Sequence, residues 1–146
     1  MPNFYSRFLL WVVLCALTYQ SMAQAPVLLT RVPVRNAVAV SLNSIIRLTF
    51  SQPMSAQAAS VAGIAVASNL RGRVPGTYSG AGTPTVVFTP SQRLVVGERI
   101  DVTVTAQVTS QAGIAMANRS SYSFLTAASG GSGSFPGPPE VPLATI

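Results

Sequence analysis

The chain has 146 residues, 8% of them charged and 49% hydrophobic, with nine basic residues against three acidic ones and no histidine. So apolar a composition excludes an intrinsically disordered chain, and the length suits one domain with appendages. The cations are all arginine, the acids are Glu98, Asp101 and Glu140, and the one cysteine is Cys15, which leaves few of the usual bases and soft metal ligands.

Residues 1–23 read as a signal peptide. Arg7 supplies the positive n-region, and Phe8 to Leu17 form an apolar run of ten residues, too short to span a bilayer. Ser21-Met22-Ala23 then sets small residues before a cleavage point after Ala23. An uncleaved anchor is the alternative. Cleavage removes Arg7 and Cys15, and an exported chain without cysteine has to draw its stability from a packed core rather than from disulfides.

Residues 24–127 read as the folded domain. Val27 to Val34 form a first strand interrupted by Pro33, and Arg35-Asn36 make a turn. Val38 and Val40 lead through Ser41–Ser44 into the strongest strand, where Ile46, Leu48 and Phe50 share one face and Ile45, Arg47 and Thr49 the other. Such alternation marks a half-buried strand, and Pro53 ends it. Ser55 to Gly63 is alanine-rich and predicts one or two helical turns, with Ser55 as N-cap and Gly63 as stop, too short to stand alone. Ile64 to Ala67 is a short strand, Asn69 turns the chain, Arg71 to Val74 is extended, and Gly76 to Tyr78 continues it. Ser79 to Gly82 is a loop. Thr85 to Thr89 is a strand stopped by Pro90, Leu94 to Val96 cross over, and Gly97-Glu98 turn. In the strand Arg99 to Val108, Ile100, Val102 and Val104 alternate with Asp101, Thr103 and Thr105, so one face is wet. Ser110 to Gly113 make a hairpin turn, and Ser121 to Thr126 close the domain.

About seven or eight short strands without a sustained helical period predict an all-β antiparallel sandwich, with an up-and-down barrel as the alternative. Its core is expected to hold Ile46, Leu48, Phe50, Phe88, Ile100, Val102, Val104 and Phe124. Residues 128–146 read as a flexible Gly/Ser/Pro-rich linker or tail. A linker normally joins two folded units, so the chain is expected to be part of a longer protein.

Several stretches, taken in order, carry a family resemblance. They are Val38 to Leu42; Ile46 to Met54, ending in Phe50-Ser51-Gln52-Pro53-Met54; Val87-Phe88-Thr89-Pro90; Leu94 with Gly97-Glu98; Val102-Thr103-Val104; and Tyr122 to Thr126. Over residues 27–127 the chain resembles the bacterial Ig-like domain of the SbsA type, found in S-layer and other surface proteins. Two positions depart from that pattern. Ile100 stands where the family carries a tyrosine, and Ser110-Gln111-Ala112-Gly113-Ile114 keeps the glycine of the last hairpin but lacks its acid and amide. The resemblance implies an Ig-like sandwich of about seven strands, serving as a structural or adhesive unit of a larger exported protein, beside other repeats.

Catalysis finds little to work with. A serine nucleophile would lack histidine or lysine as its base. Glu98 and Asp101 are three apart, which on a strand sends them to opposite faces rather than across one bond; they read as a turn acid and a solvated strand acid. Zinc would lack nitrogen and sulfur ligands, and calcium an acidic cluster, so no metal or other cofactor is expected. Arg71 and Arg73 alternate on one predicted strand face, and Arg47 and Arg99 lie on the wet faces of others. Aligned, they would form a patch suited to an anionic surface polymer or a neighbouring domain. Unaligned, they are solvated strand faces, with Arg99 paired to a nearby acid. Arg71, Arg73 and Tyr78 are therefore the candidate ligand contacts, on the alternative reading of a glycan-binding module. The expected partners are neighbouring domains of a surface protein or anionic cell-surface polymers. Nucleic acid is not expected, membrane contact after signal cleavage is peripheral or nil, and the expected location is secreted or at the cell surface.

Overall fold

The computed structural model describes residues 24–128; the expected signal peptide, and the expected linker beyond Ala128, lie outside the described residues. Among the described residues there are eight strands: β1 (Leu28–Val32), β2 (Ile46–Phe50), β3 (Ile64–Ser68), β4 (Gly72–Arg73), β5 (Gly76–Ser79), β6 (Thr85–Pro90), β7 (Arg99–Val104) and β8 (Ser120–Leu125). They form two four-stranded sheets, β1-β2-β6-β5 and β4-β3-β7-β8, and every paired strand runs antiparallel to its neighbour. Two separate sheets make this a sandwich and not an up-and-down barrel.

Alternation builds the core directly. Ile46, Leu48 and Phe50 of β2 lie beside Val86 and Phe88 of β6, and face Ile64, Val66, Ile100, Val102, Val104, Tyr122 and Phe124 of the other sheet. All eight core positions expected from sequence are at most 2% exposed. Loop residues complete the packing: Met54, Ala58, Leu94 and Val108 are buried as well. Gly76 is required by a close approach, since a Cβ there would run into the Phe88 ring.

Two local expectations are corrected. Ser55–Gly63 forms a series of turns and no helix; the Ser55 hydroxyl accepts from the Ala58 N–H at 3.3 Å as an N-cap would, but the segment is too short to propagate. The chain from Arg71 to Tyr78 is not one continuous extended run. Pro75, which has no N–H to give a ladder, separates β4 from β5, and the two strands belong to opposite sheets.

The path of the chain fixes its two ends. β1 runs from Leu28, opposite Phe50, to Val32, opposite Arg47, and Ser51 N–H donates to Val27 O at 2.9 Å, so the described chain enters beside the β2 terminus. Residues 36–40 then pass to the other sheet and run parallel to β8, with Val40 opposite Thr126. The described chain leaves at the far end, where Ala127 N–H donates to Val40 O and Gly97 N–H to Ala127 O, both at 2.9 Å. Entry and exit therefore lie at opposite ends of the sandwich.

Candidate functional site

The densest polar cluster surrounds Glu98, at the exit end. Gly97 adopts φ +68°, a conformation glycine takes without strain, and the turn it makes brings the Glu98 carboxylate back over the chain. Glu98 is fully buried. Its Oε1 accepts from Val95 N–H at 2.6 Å and Arg71 Nη2 at 2.9 Å. Its Oε2 accepts from the Ser68 hydroxyl at 2.6 Å and Arg71 Nε at 3.3 Å. The Glu98 N–H donates to Thr126 Oγ1 at 2.9 Å, and the Thr126 hydroxyl donates to Val95 O at 2.6 Å. Burial pushes the Glu98 carboxyl up, but the donors from Ser68, Val95 and Arg71 together with the Arg71 charge outweigh it, and the group sits below its ordinary range. A carboxylate so fully occupied and so firmly ionised is a poor acid or base. It ties the β3–β4 turn, the β7 entry and the end of β8 into one knot.

Asp101 has the opposite setting. It lies on the outer face of its sheet, paired with Arg99 at 3.3 Å, with both side chains roughly half exposed. The two acids do face opposite ways, as their spacing requires. The reading of Glu98 as an ordinary turn acid, however, misses its burial, because all its side-chain partners come from residues 68 and 71, far back in the chain.

The three candidate ligand contacts are placed differently from one another. Arg71 lies in the turn before β4, not on a strand face with Arg73, and its guanidinium is forked onto Glu98. Tyr78, on β5, donates its hydroxyl to Ile64 O at 2.6 Å, and its ring packs against Phe88 at 4.9 Å between centroids. Burial raises the Tyr78 hydroxyl, with the Arg73 charge pulling it back. Arg73 is exposed on β4, and among the described residues it meets no carboxylate. Arg47 lies on the other sheet from Arg73 and Arg99, so the four arginines do not align into one patch. An open groove of about 350 Å³ runs along the outer face of β7 and β8, lined by Arg35, Asn36, Asp101, Thr103, Ser121 and Ser123, with Tyr122.

A second feature escaped sequence reasoning. Tyr122 is 4% exposed, and its hydroxyl is buried without a hydrogen-bond partner among the described residues. Burial pushes its pKa up to about 12, against the opposing pull of Arg31. The Arg31 guanidinium lies 5.4 Å from the centre of the Tyr122 ring. Arg31 stands opposite the buried Leu48, so it points into the seam between the sheets. No sequence signal would have paired residues so far apart.

The fold and these sites define a class: a two-sheet Ig-like sandwich whose polar clusters brace the structure. The chain belongs to the bacterial Ig-like domain family, whose model matches residues 22–126. No curated protein matches it. Among solved structures it is similar to the native conformation of E. coli alpha-2-macroglobulin, at 18% identity and a TM-score of 0.56, covering 74% of this chain and 6% of that one. It is also similar to the LD transpeptidase LdtMt1 solved with imipenem, at 17% identity and a TM-score of 0.51, covering 71% of this chain and 41% of that one. For domains 1–6 of the surface layer protein SbsC the identity is 18% and the TM-score 0.50, covering 72% of this chain and 14% of that one. The chain thus spans less than half the length of each of these proteins, and at such identities the likeness speaks for the fold alone.

Proposed function

We propose that this domain is a non-catalytic, load-bearing spacer or adhesion module of an exported bacterial surface protein, of the SbsA type, with neighbouring domains or anionic cell-surface polymers as its partners. One observation carries the reading: the segment 36–40, which follows β1, and the closing segment 123–127 run side by side in parallel and bond to each other. Asn36 N–H donates to Ser123 O, Leu125 N–H to Ala37 O, Val40 N–H to Leu125 O and Ala127 N–H to Val40 O, at 2.8 to 3.1 Å. Tension applied at the two ends pulls these segments past one another, so the bonds lie across the force and must fail together rather than unzip singly. That suits a unit strung between other domains. Membership of the bacterial Ig-like domain family, and a fold shared with domains of the surface layer protein SbsC, support the same reading.

Forced unfolding tests it. Handles at Gln24 and Ala128 load the parallel segments in shear, whereas handles at Gln24 and Gln111 both attach near the entry end and leave them unloaded. The axial geometry is expected to need the larger force. Equal forces in the two geometries would sink the load-bearing reading.

A glycan-binding module at Arg71, Arg73 and Tyr78 is the subordinate reading. The exposed Arg73 beside Tyr78 favours it; the internal bonds of Arg71 and Tyr78 weigh against it. Titration with polygalacturonate and with a neutral glucan checks it: binding to either that Arg73→Ala abolishes would support it, and no binding to either ends it.

A further inference from the structure

We propose that the free edge of β1 accepts an added β-strand from a partner, and that the partner is an extended aliphatic segment carrying a carboxylate that seats against Arg31. β1 ends its sheet order, so among the described residues it has a strand on one side only. Higher on the same rim, residues 36–40 already cover β8; the open stretch is β1 itself. An uncovered edge presents a row of main-chain donors and acceptors to any extended chain.

Side chains along this edge state what kind of chain fits. Val27, Leu29, Val32 and Val34 are each more than half exposed, a run of aliphatic surface that water solvates poorly. Val32 stands opposite Arg47 on the outer face of the sheet, whereas Arg31, one residue back, turns into the seam. An added strand therefore meets aliphatic groups on its outer face and a guanidinium on its inner face. The inner face also holds Tyr122, whose ring lies 5.4 Å from the Arg31 guanidinium and whose buried hydroxyl has no acceptor among the described residues, a state that ordinarily needs an explanation. A carboxylate seated beside Arg31 forms charge-assisted bonds with the guanidinium and changes the surroundings of the Tyr122 ring, 5.4 Å from it.

Charge decides against a second copy as the occupant. Residues 24–97 contain no acidic residue, while Arg31, Arg35 and Arg47 all belong to this rim. Pairing β1 with another β1 would bring like charges together with nothing to offset them, which destabilises a cross-strand pair. The complementary partner is acidic. The interaction is separate from the load-bearing reading: a spacer with a bare edge would fail the experiment below and still unfold at high force along its axis.

The probe is a capped nine-residue peptide, Thr-Val-Thr-Val-Glu-Val-Thr-Val-Thr, with a twin carrying glutamine in place of the glutamate. Each is titrated into the isotope-labelled full chain and followed by amide and tyrosine-ring chemical shifts. The glutamate peptide is expected to move the amides of Leu28–Val32 and the Tyr122 ring, and to bind about tenfold more tightly than its twin. Arg31→Gln is expected to erase the difference between the twins. Equal binding of the two peptides, shifts that spare β1, or no shifts at all would each overturn the proposal. The comparison of the twins uses the unaltered chain, so the outcome does not depend on any variant folding.

Discussion

Glu98 and Asp101 stand three residues apart on one stretch of chain, and the fold puts them to opposite uses. Glu98 is enclosed, with both carboxylate oxygens taken by a backbone N–H, a hydroxyl and a forked guanidinium. Asp101 lies on an outer sheet face with one loose pairing to Arg99. The difference comes from which strands pass nearby. The β3–β4 turn closes over residue 98, whereas residue 101 looks outward between Ala67 and Ser123, its small neighbours on the adjoining strands. A charge in this domain matters according to how completely its partners replace water.

Removing the enclosed acid is the strongest way to test that contrast. Glu98→Ala leaves Val95 N–H and the Ser68 hydroxyl without their acceptor, and frees Arg71 from its anchor. Breaking a buried ion pair on one side costs about 3–5 kcal/mol, and the loss of stability in a urea unfolding curve is expected to fall in that range. Arg71→Ala comes next. It strands the buried carboxylate, but Ser68 and Val95 still solvate it, and Arg71 is 30% exposed, so about 2 kcal/mol is expected. A Glu98→Ala variant as stable as the parent chain would break the comparison outright.

Acid should expose the same knot. The folded Glu98 carboxyl lies below its ordinary range, so on acidification the unfolded chain takes up this proton first. The stabilisation is therefore complete above the unfolded value of about 4.3, and is lost as pH falls through the lower folded value. Stability measured from pH 7 downward is expected to decline along this limb, and Glu98→Gln to flatten it. An unchanged acid limb in that variant would show that the knot does not hold an ionised carboxylate.

Much of the fold was legible because alternation is local. Ile46-Leu48-Phe50 and Ile100-Val102-Val104 declare their buried faces within a few residues, and both sets are buried. Gly97 and Gly113 likewise mark turns that the chain makes, and β2 ends before Pro53. The polar sites were less legible because their partners are distant. Arg71 looked like a strand-face cation until Glu98, 27 residues on, claimed it. Tyr78 and Tyr122 differ in a way that no local pattern carries. Tyr78 gives its hydroxyl to Ile64 O, whereas that of Tyr122 has no acceptor among the described residues. Which sheet a strand joins decides such matters, and no period in the sequence encodes the switch at Pro75 that separates β4 from β5.

The smallest expected effect completes the contrast. Arg99 and Asp101 form an ion pair in the ordinary surface sense, 3.3 Å apart with both side chains open to water. Holding two mobile side chains together costs entropy that the weak Coulomb attraction in water barely offsets, and exposed pairs of this kind measure about 0.2–1 kcal/mol. A double-mutant cycle with Arg99→Ala and Asp101→Ala is expected to give a coupling near the bottom of that range, shrinking further at about 1 M salt, where screening acts over only about 3 Å. The equivalent cycle with Arg71→Ala and Glu98→Ala should give a coupling several times larger and nearly indifferent to salt, because ions cannot enter the buried side of that pair. Similar couplings with similar salt dependence would mean that burial does not govern these two pairs, and the assignment of Glu98 as the brace of the exit end would fail with it.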